Sequence, residues 1–386
     1  MCDLSRDSAR SSLSRRSLLG SATAAGVGAA GLALAAPGSA SAATSAAGGS
    51  HPQSGTHLVL LGTAGGPPPS VSRFGMSTAL VVNGNAYLID CGRGAVSQYV
   101  RAGLDPLRIK GIFITHLHVD HTADYFNFAV LAGYSVFNAT GSMPSIGVYG
   151  PGSAGSLPGG AGGAGWVNPA DPVPGLAAQT RLCNQAFAYS SNAFIAEGIG
   201  GDPGGALDVH EIELPDVGAS ALGETAPVMS PFPVMSNDDV RVTAVLVPHG
   251  AVFPAFAYRF ETPDGSVVFS GDTALTPNIP TLARDCDVLV HEAADIDYFR
   301  TAGWPEALVT HINEVHTDIQ DIGALARQAN ARQVVLSHFS PTEDAQVSPA
   351  RWRRGARETA ASAGYRGRIT VGADLQRFTV ASRGRR

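Results

Sequence analysis

The sequence predicts an α/β fold, and three observations carry that prediction. Short apolar, β-rich runs recur along the chain. Stretches of helical period stand between several of them. Of the 386 residues, 44% are hydrophobic and 15% charged, enough apolar side chain to bury a sizeable core and to exclude wholesale disorder. The 46 glycines and 25 prolines imply long loops. A net charge of −6 gives no large electropositive surface, which counts against a dedicated nucleic-acid binder.

In chain order, residues 1–42 read as an export signal. Arg15 and Arg16 precede an uncharged Ala/Gly-rich stretch, and Ala40-Ser41-Ala42 follows as a small-x-small cleavage site. The paired arginines point to the twin-arginine route, hence to a periplasmic or extracellular protein. Ala and Gly insert poorly into bilayers, so no stable membrane insertion is expected. A flexible linker (43–55) comes next, and a basic tail (381–386) ends the chain. Cys91, Cys183 and Cys286 are odd in number and widely spaced, which argues against a disulfide framework.

The main body spans 56–380. The runs 56–63 and 77–92 read as a strand and a hairpin turning at Asn83-Gly84. Residues 96–103 read as a helix, 109–115 as a buried strand and 123–133 as a second helix. From about 150 to 236, Gly, Pro, Ala and Asn dominate. This segment reads as an insertion with a helix near 175–194, either a lid over the site or a solvated decoration. Strands resume at 239–250, 255–273, 287–293 and 333–340, with a helix over 317–330.

Several apolar strands run directly into His or Asp: Asp90, His116, His249, Asp272, His291 and His338. Ligands collect at the carboxyl ends of strands in α/β sheets. The centre of the pattern is His116-x-His118-x-Asp120-His121. In an extended segment His116 and His118 point the same way, and imidazole with carboxylate suits zinc. His116, His118 and a distant His would serve one ion. Asp120, His121 and another distant His would serve a second, with a bridging carboxylate between them.

On these motifs the chain resembles the metallo-β-lactamase-fold hydrolases, and within them the ribonuclease Z/arylsulfatase-like branch. The opening "LLGTAGG", the Asp90-Cys91-Gly92 turn, the histidine box, "PHG" at His249, "SGDT" at Asp272, "HEA" at 291–293, "VHT" at 315–317 and "SHFSP" at His338 occur in that branch's order. The resemblance implies a four-layer αββα metallo-β-lactamase fold. It implies two Zn2+ per chain, with Mn2+ or Fe2+ as alternatives. His116, His118 and His249 would hold the first ion, Asp120, His121 and His338 the second, and Asp272 would bridge them. Asp90 would steady the box from behind, with His291 as a further supporting residue. It implies hydrolysis of a phosphodiester or sulfate ester by a hydroxide shared between the metals. Asp120 would orient that hydroxide, and His316, kept charged by Glu292, would protonate the leaving group.

Competing activities are an arylsulfatase, then a lactonase or thioesterase. Further off stand a tRNA 3′-endonuclease and a non-catalytic zinc-binding protein. The family's tRNA-clamping arm falls between His249 and Asp272, where this chain has room only for a hairpin. The expected partner is therefore a small-molecule ester, with no nucleic acid, and the resemblance allows a homodimer.

Overall fold

A computed structural model of the chain describes residues 54–159 and 165–381. The signal segment (1–42), nearly all of the linker (43–55) and nearly all of the basic tail (381–386) lie outside the described residues.

Two seven-stranded mixed sheets stack face to face. The first contains β1 (Thr56–Gly62), β2 (Ser77–Val82), β3 (Asn85–Ile89), β4 (Ile109–Phe113), β5 (Ile146–Gly150) and β6 (Leu207–Glu211) in sequence order. The second contains β7 (Phe232–Ser236), β8 (Arg241–Leu246), β9 (Phe256–Thr262), β10 (Gly265–Phe269), β11 (Val288–Ala294), β12 (Gln333–Ser340) and β13 (Arg368–Val371). The final strand, β14 (Arg377–Val380), returns to pair antiparallel with β1 in the first sheet. Both sheets have one antiparallel half and one parallel half. In the parallel halves, β3 to β6 and β10 to β13, the strands run the same way.

Alternation along the strands builds the layers. Leu58 and Leu60 face the second sheet and pack with Tyr87, Phe113, Phe256 and Tyr258. Val59 and Leu61 face the other way, toward Tyr99 and Phe128 on the outer helices. β1 is buried on both faces, which is why it reads as an unbroken apolar run. The second sheet is covered by the helices Ile322–Gln328 and Pro349–Ala363, through Ile322, Leu325 and Trp352. The result is the four-layer αββα arrangement. The longest helix has explicit ends: Ser348 caps the Arg351 N–H, Pro349 occupies the first turn, and Gly364 stops it in the left-handed conformation. No helix among the described residues is long and apolar enough to cross a membrane.

Several elements depart from the sequence expectation. The segment 150–236 contributes β6 to one sheet and β7 to the other, so part of it is framework. Its helical stretch breaks at Phe187 into Leu176–Ala186 and Ala188–Ala196. The helix expected over 123–133 begins only at Tyr125 and runs on to Thr140, because Asp124 sits in a turn where it accepts from the Val96 N–H and from Asn127 while its own N–H donates to the Cys91 carbonyl. The helix expected over 317–330 starts only at Ile322. Thr317 and Ile319 instead pair with the Ala294 backbone, a tertiary contact that overrides helical period.

The sheets are tied together at the carboxyl ends of their parallel strands. The Phe256 N–H donates to the Thr115 carbonyl and the Phe339 N–H to the Thr63 carbonyl. Gly92 allows the histidine box to come close, since a Cβ there would lie 2.3 Å from the Asp120 carbonyl oxygen and 2.6 Å from the Met76 nitrogen. Both obstructions are backbone and cannot rotate away. Gly92→Ala should therefore destabilise the protein by ~1–3 kcal/mol, the usual cost of overpacking, and lower its metal content. Denaturant melts and metal analysis of the purified variant check this.

Candidate metal centre

Five of the six residues singled out above, Asp90, His116, His249, Asp272 and His338, gather at one place, whereas the expected strand end at His291 lies inside β11. His116 and His118 follow β4, and Asp120 and His121 occupy the short turn Val119–Thr122. His249 follows β8 and Asp272 follows β10. Gly271 permits that last turn: its φ is +59°, and a Cβ would lie 2.6 Å from the Phe256 carbonyl oxygen. His338 is placed by a β-bulge. Glu292 pairs with Ser337 and Ala293 with Phe339, so His338 is skipped and takes φ +44°. The skipped residue turns its ring toward Asp120 and Asp272 instead of continuing the ladder.

Two groups of side chains converge. Ligand atoms of His116, His118, His249 and Asp272 lie within 4.8 Å of one another, as do those of Asp120, His121, Asp272 and His338. Asp272 belongs to both. Its Oδ2 is 3.8 Å from His116 Nε2, 3.7 Å from His249 Nε2 and 3.1 Å from His338 Nε2, while Oδ1 is 3.3 Å from His121 Nε2. The buried atoms His116 Nε2, His121 Nε2, Asp120 Oδ1 and Asp272 Oδ1 have no hydrogen-bond partner. Buried polar atoms are rarely left orphaned, and four aimed at a common space fit a pair of divalent cations.

Hydrogen bonds from behind set which nitrogen each ring presents. Asp90, 1% exposed and at φ +58°, accepts from the Thr115 N–H at 2.8 Å and from its hydroxyl at 2.9 Å. It also accepts from His121 Nδ1 at 2.8 Å. With its hydroxyl hydrogen given to Asp90, Thr115 accepts from His116 Nδ1 at 3.1 Å. His249 Nδ1 donates to the Val315 carbonyl at 2.8 Å. In all three rings Nε2 is then left with its lone pair. Asp90 thus holds a histidine of each group, one directly and one through Thr115. Thr115 and the Val315 carbonyl carry no mark in the sequence. The one available signal is that Thr115 sits between a strand and its histidine.

Among the described residues, the ion pairs of Asp90, Asp120, Asp272 and Glu292 are all with histidines, with no Lys or Arg. Burial, with smaller contributions from the His121 and His316 charges, pushes His118 down against Asp272 and Asp120, and burial with the neighbouring His121 charge pushes down His116. Burial brings His249 to about 4. These three are neutral imidazoles, as ligands must be. Burial opposes charge on Asp120 and Asp272 too, yet the surrounding histidines hold both carboxyls well below the usual range. His121 goes the other way: against burial, Asp272, Asp90 and Asp120 lift it. The centre is an anion-rich pocket waiting for positive charge.

Beside it stands a second pair. Glu292, 2% exposed, accepts from His316 Nδ1 at 2.8 Å and from the Thr273 N–H. Burial pulls His316 down, but the Glu292 charge and hydrogen bond lift it to about 9. The proton therefore rests on His316, whose ring borders an open cavity. His291 lies behind Glu292 with Nδ1 2.8 Å from the Glu292 carbonyl, and burial lowers it to about 4. The structure brings it to no ligand atom of the two groups. His311, without a role in the sequence reading, lines the same cavity as His316.

With fold and geometry described, likeness to known proteins can be weighed. The Metallo-beta-lactamase superfamily profile matches residues 72–179, and that of the Beta-lactamase superfamily domain matches 204–339. Ribonuclease Z of Mycobacterium bovis (strain BCG / Pasteur 1173P2) is 26% identical over 329 residues, covering 84% of this chain and 99% of its own. Ribonuclease Z of Mycobacterium sp. (strain KMS) is 28% identical over 323 residues, covering 84% and 95%. Among solved structures, the short form of human tRNase Z superposes with a TM-score of 0.55 at 19% identity, covering 84% of this chain and 99% of its own. The metallo-beta-lactamase fold protein YhfI from Bacillus subtilis gives 0.51 at 14%, covering 84% and 98%.

Asp90→Asn preserves size and tolerance of positive φ while removing the charge behind His121 and Thr115. Metal affinity should fall about 10–100-fold with the fold intact, read by chelator competition and circular dichroism. Chelation of the wild type should lower its melting temperature, because a ligand at about a hundred times its Kd contributes about 2.7 kcal/mol to the folded state. Unchanged melting after verified metal removal would show that the centre does not couple to folding.

Proposed function

For this chain, a ribonuclease Z-like metallo-hydrolase of the metallo-β-lactamase fold, we propose hydrolysis of phosphodiester bonds at a dinuclear zinc centre, after export by the twin-arginine route. The observation that carries the reading is the charged His316–Glu292 pair beside two ligand groups that share Asp272. His116, His118, His249 and Asp272 would hold one zinc, and Asp120, His121, His338 and Asp272 the other. Such ions, when bound, supply a water acidic enough to attack near neutral pH and neutralise charge on the ester's oxygens.

The chain's own residues do the rest. Asp120 keeps Oδ1 free of protein partners, so it can orient the attacking water by accepting a hydrogen bond. The water's oxygen forms the new bond to phosphorus while the bond to the leaving oxygen breaks. His316 gives its proton to that leaving oxygen, and Glu292 stabilises the imidazolium until then. The proton lost by the water passes to solvent and later restores His316.

The relatives named ribonuclease Z favour phosphodiester chemistry but not tRNA as this chain's substrate. The stretch between His249 and Asp272 is filled by the β9–β10 hairpin, with no protruding arm. The signal read at 1–42 points the same way, and secretion of a reporter fused to 1–42, abolished by Arg15→Lys with Arg16→Lys, tests it.

Zinc-loaded protein should cleave bis-(4-nitrophenyl) phosphate in preference to 4-nitrophenyl sulfate or a lactone. Preferred sulfate turnover would overturn the phosphate assignment and favour the arylsulfatase. His316→Ala should retain both metals and lose about 10²–10⁴ in kcat on diesters with poor leaving groups, and much less on nitrophenyl esters. Equal loss on both classes would remove the proton-donor role.

A further inference from the structure

Two apolar cavities meet at the centre. One, of about 660 Å³, is walled by Phe299, Trp304, Leu308 and Ile312 and contains His316, His118 and Asp272. The other, of about 820 Å³, is walled by Leu117, Val173, Leu182 and Phe253, with Leu182 and Val173 supplied by the segment 150–236. Both reach His118, Ala251 and Val252, so the loop at 251–252 divides them beside the ligand groups. Among the described residues neither is lined by Lys or Arg. Arg93 borders only a smaller recess behind Pro67, Pro68 and Pro69, where its guanidinium donates to the Ser70 and Arg73 carbonyls.

A site for a nucleic-acid strand needs cations for the phosphates on either side of the scissile one. Among the described residues that line the two cavities, the places for negative charge are the metal groups and the His316 ring beside them, and both flanks are apolar. Resting on the phosphodiester reading above, we propose that the substrate is a diester with a single anionic phosphate and two uncharged apolar arms, of the dialkyl or alkyl aryl class. His316 lies in the cavity of Trp304 and Leu308, so the arm that departs with its proton sits there. The retained arm lies against Leu117, Val173 and Leu182. A membrane phospholipid places a polar headgroup on one arm and does not fit both walls. The role of the segment 150–236 is then to build the wall for the retained arm.

The test uses zinc-loaded protein and dialkyl phosphates from dimethyl to dihexyl, titrated calorimetrically as slowly cleaved ligands. Affinity should rise about twofold to fourfold per added methylene, the range for partial to full burial of a methylene. A flat series, or tighter binding of a dinucleotide bearing an added terminal phosphate than of dihexyl phosphate, would overturn the proposal. The arms are told apart by kcat/KM on hexyl and methyl 4-nitrophenyl phosphate, in which nitrophenolate leaves. Leu182→Ser should erase most of the hexyl advantage and Leu308→Ser should not, and the reverse would overturn the assignment of arms. Leu182 is 42% exposed and Leu308 38%, so both variants should fold. If neither nitrophenyl ester is cleaved, the phosphodiester reading fails, while the binding series still decides the apolar lobes.

Discussion

The constraint on which this molecule turns is the burial of Asp90, Asp120, Asp272 and Glu292 around one small space without a lysine or arginine to neutralise them. Burying an unpaired carboxylate costs several kcal/mol even after relaxation, so the fold must supply compensation from another source. Part comes from histidines, part from backbone N–H groups such as those of Thr115 and Thr273. The remainder would come from divalent cations, which the orphaned ligand atoms are placed to hold. Several oddities of the backbone follow from the same demand. Asp90 and His338 accept left-handed backbone, and Gly92 gives up its side chain to let the Asp120 turn approach.

The two neighbouring carboxylate–histidine arrangements do opposite work through the same physics. Asp90 accepts a hydrogen bond from His121 Nδ1 and turns the far nitrogen of that ring toward the ligand groups. Glu292 accepts one from His316 Nδ1, and its charge keeps that ring protonated. The difference lies in what stands on the far side of each ring. His121 faces Asp120 and Asp272, which with a cation between them fix it as a ligand. His316 faces an apolar cavity where a leaving group can sit.

Much of this was legible from residues alone, because the chemistry sits at strand ends and strands announce themselves by apolar runs. The Asn83-Gly84 hairpin formed with both residues at positive φ, as a two-residue turn requires. The spacing of His116, His118, Asp120 and His121 implied a shared site because it straddles a strand end and a turn. What stayed hidden depends on partners distant in sequence. The bulge at His338 is a relation between β11 and β12, invisible in either strand. β6 and β7 are short and lie in Gly/Pro-rich sequence, and become strands because each sheet offers an unpaired edge. The helices Ile296–Thr301 and Glu306–Val315 went unread because Gly303 and Pro305 break them into pieces too short for period to show.

Those two unread helices matter most for what enters the site. The segment carries Trp304 and Leu308 partly exposed, an arrangement that a purely structural element would avoid in water. It also delivers the Val315 carbonyl that orients His249 and, one residue later, His316 itself. A single helix therefore sets the His249 ring, His316 and an apolar wall. Its packing onto Ile296 and Phe299 fixes all three together. Moving that helix to widen the cavity would disturb His316 and His249 at once. Differences in substrate shape are more easily accommodated on the opposite side, where Leu182 and Val173 line a cavity that includes His118 but none of the other ligand-group residues. On the proposed reading, the leaving group would then sit on the fixed side and the retained group on the variable one.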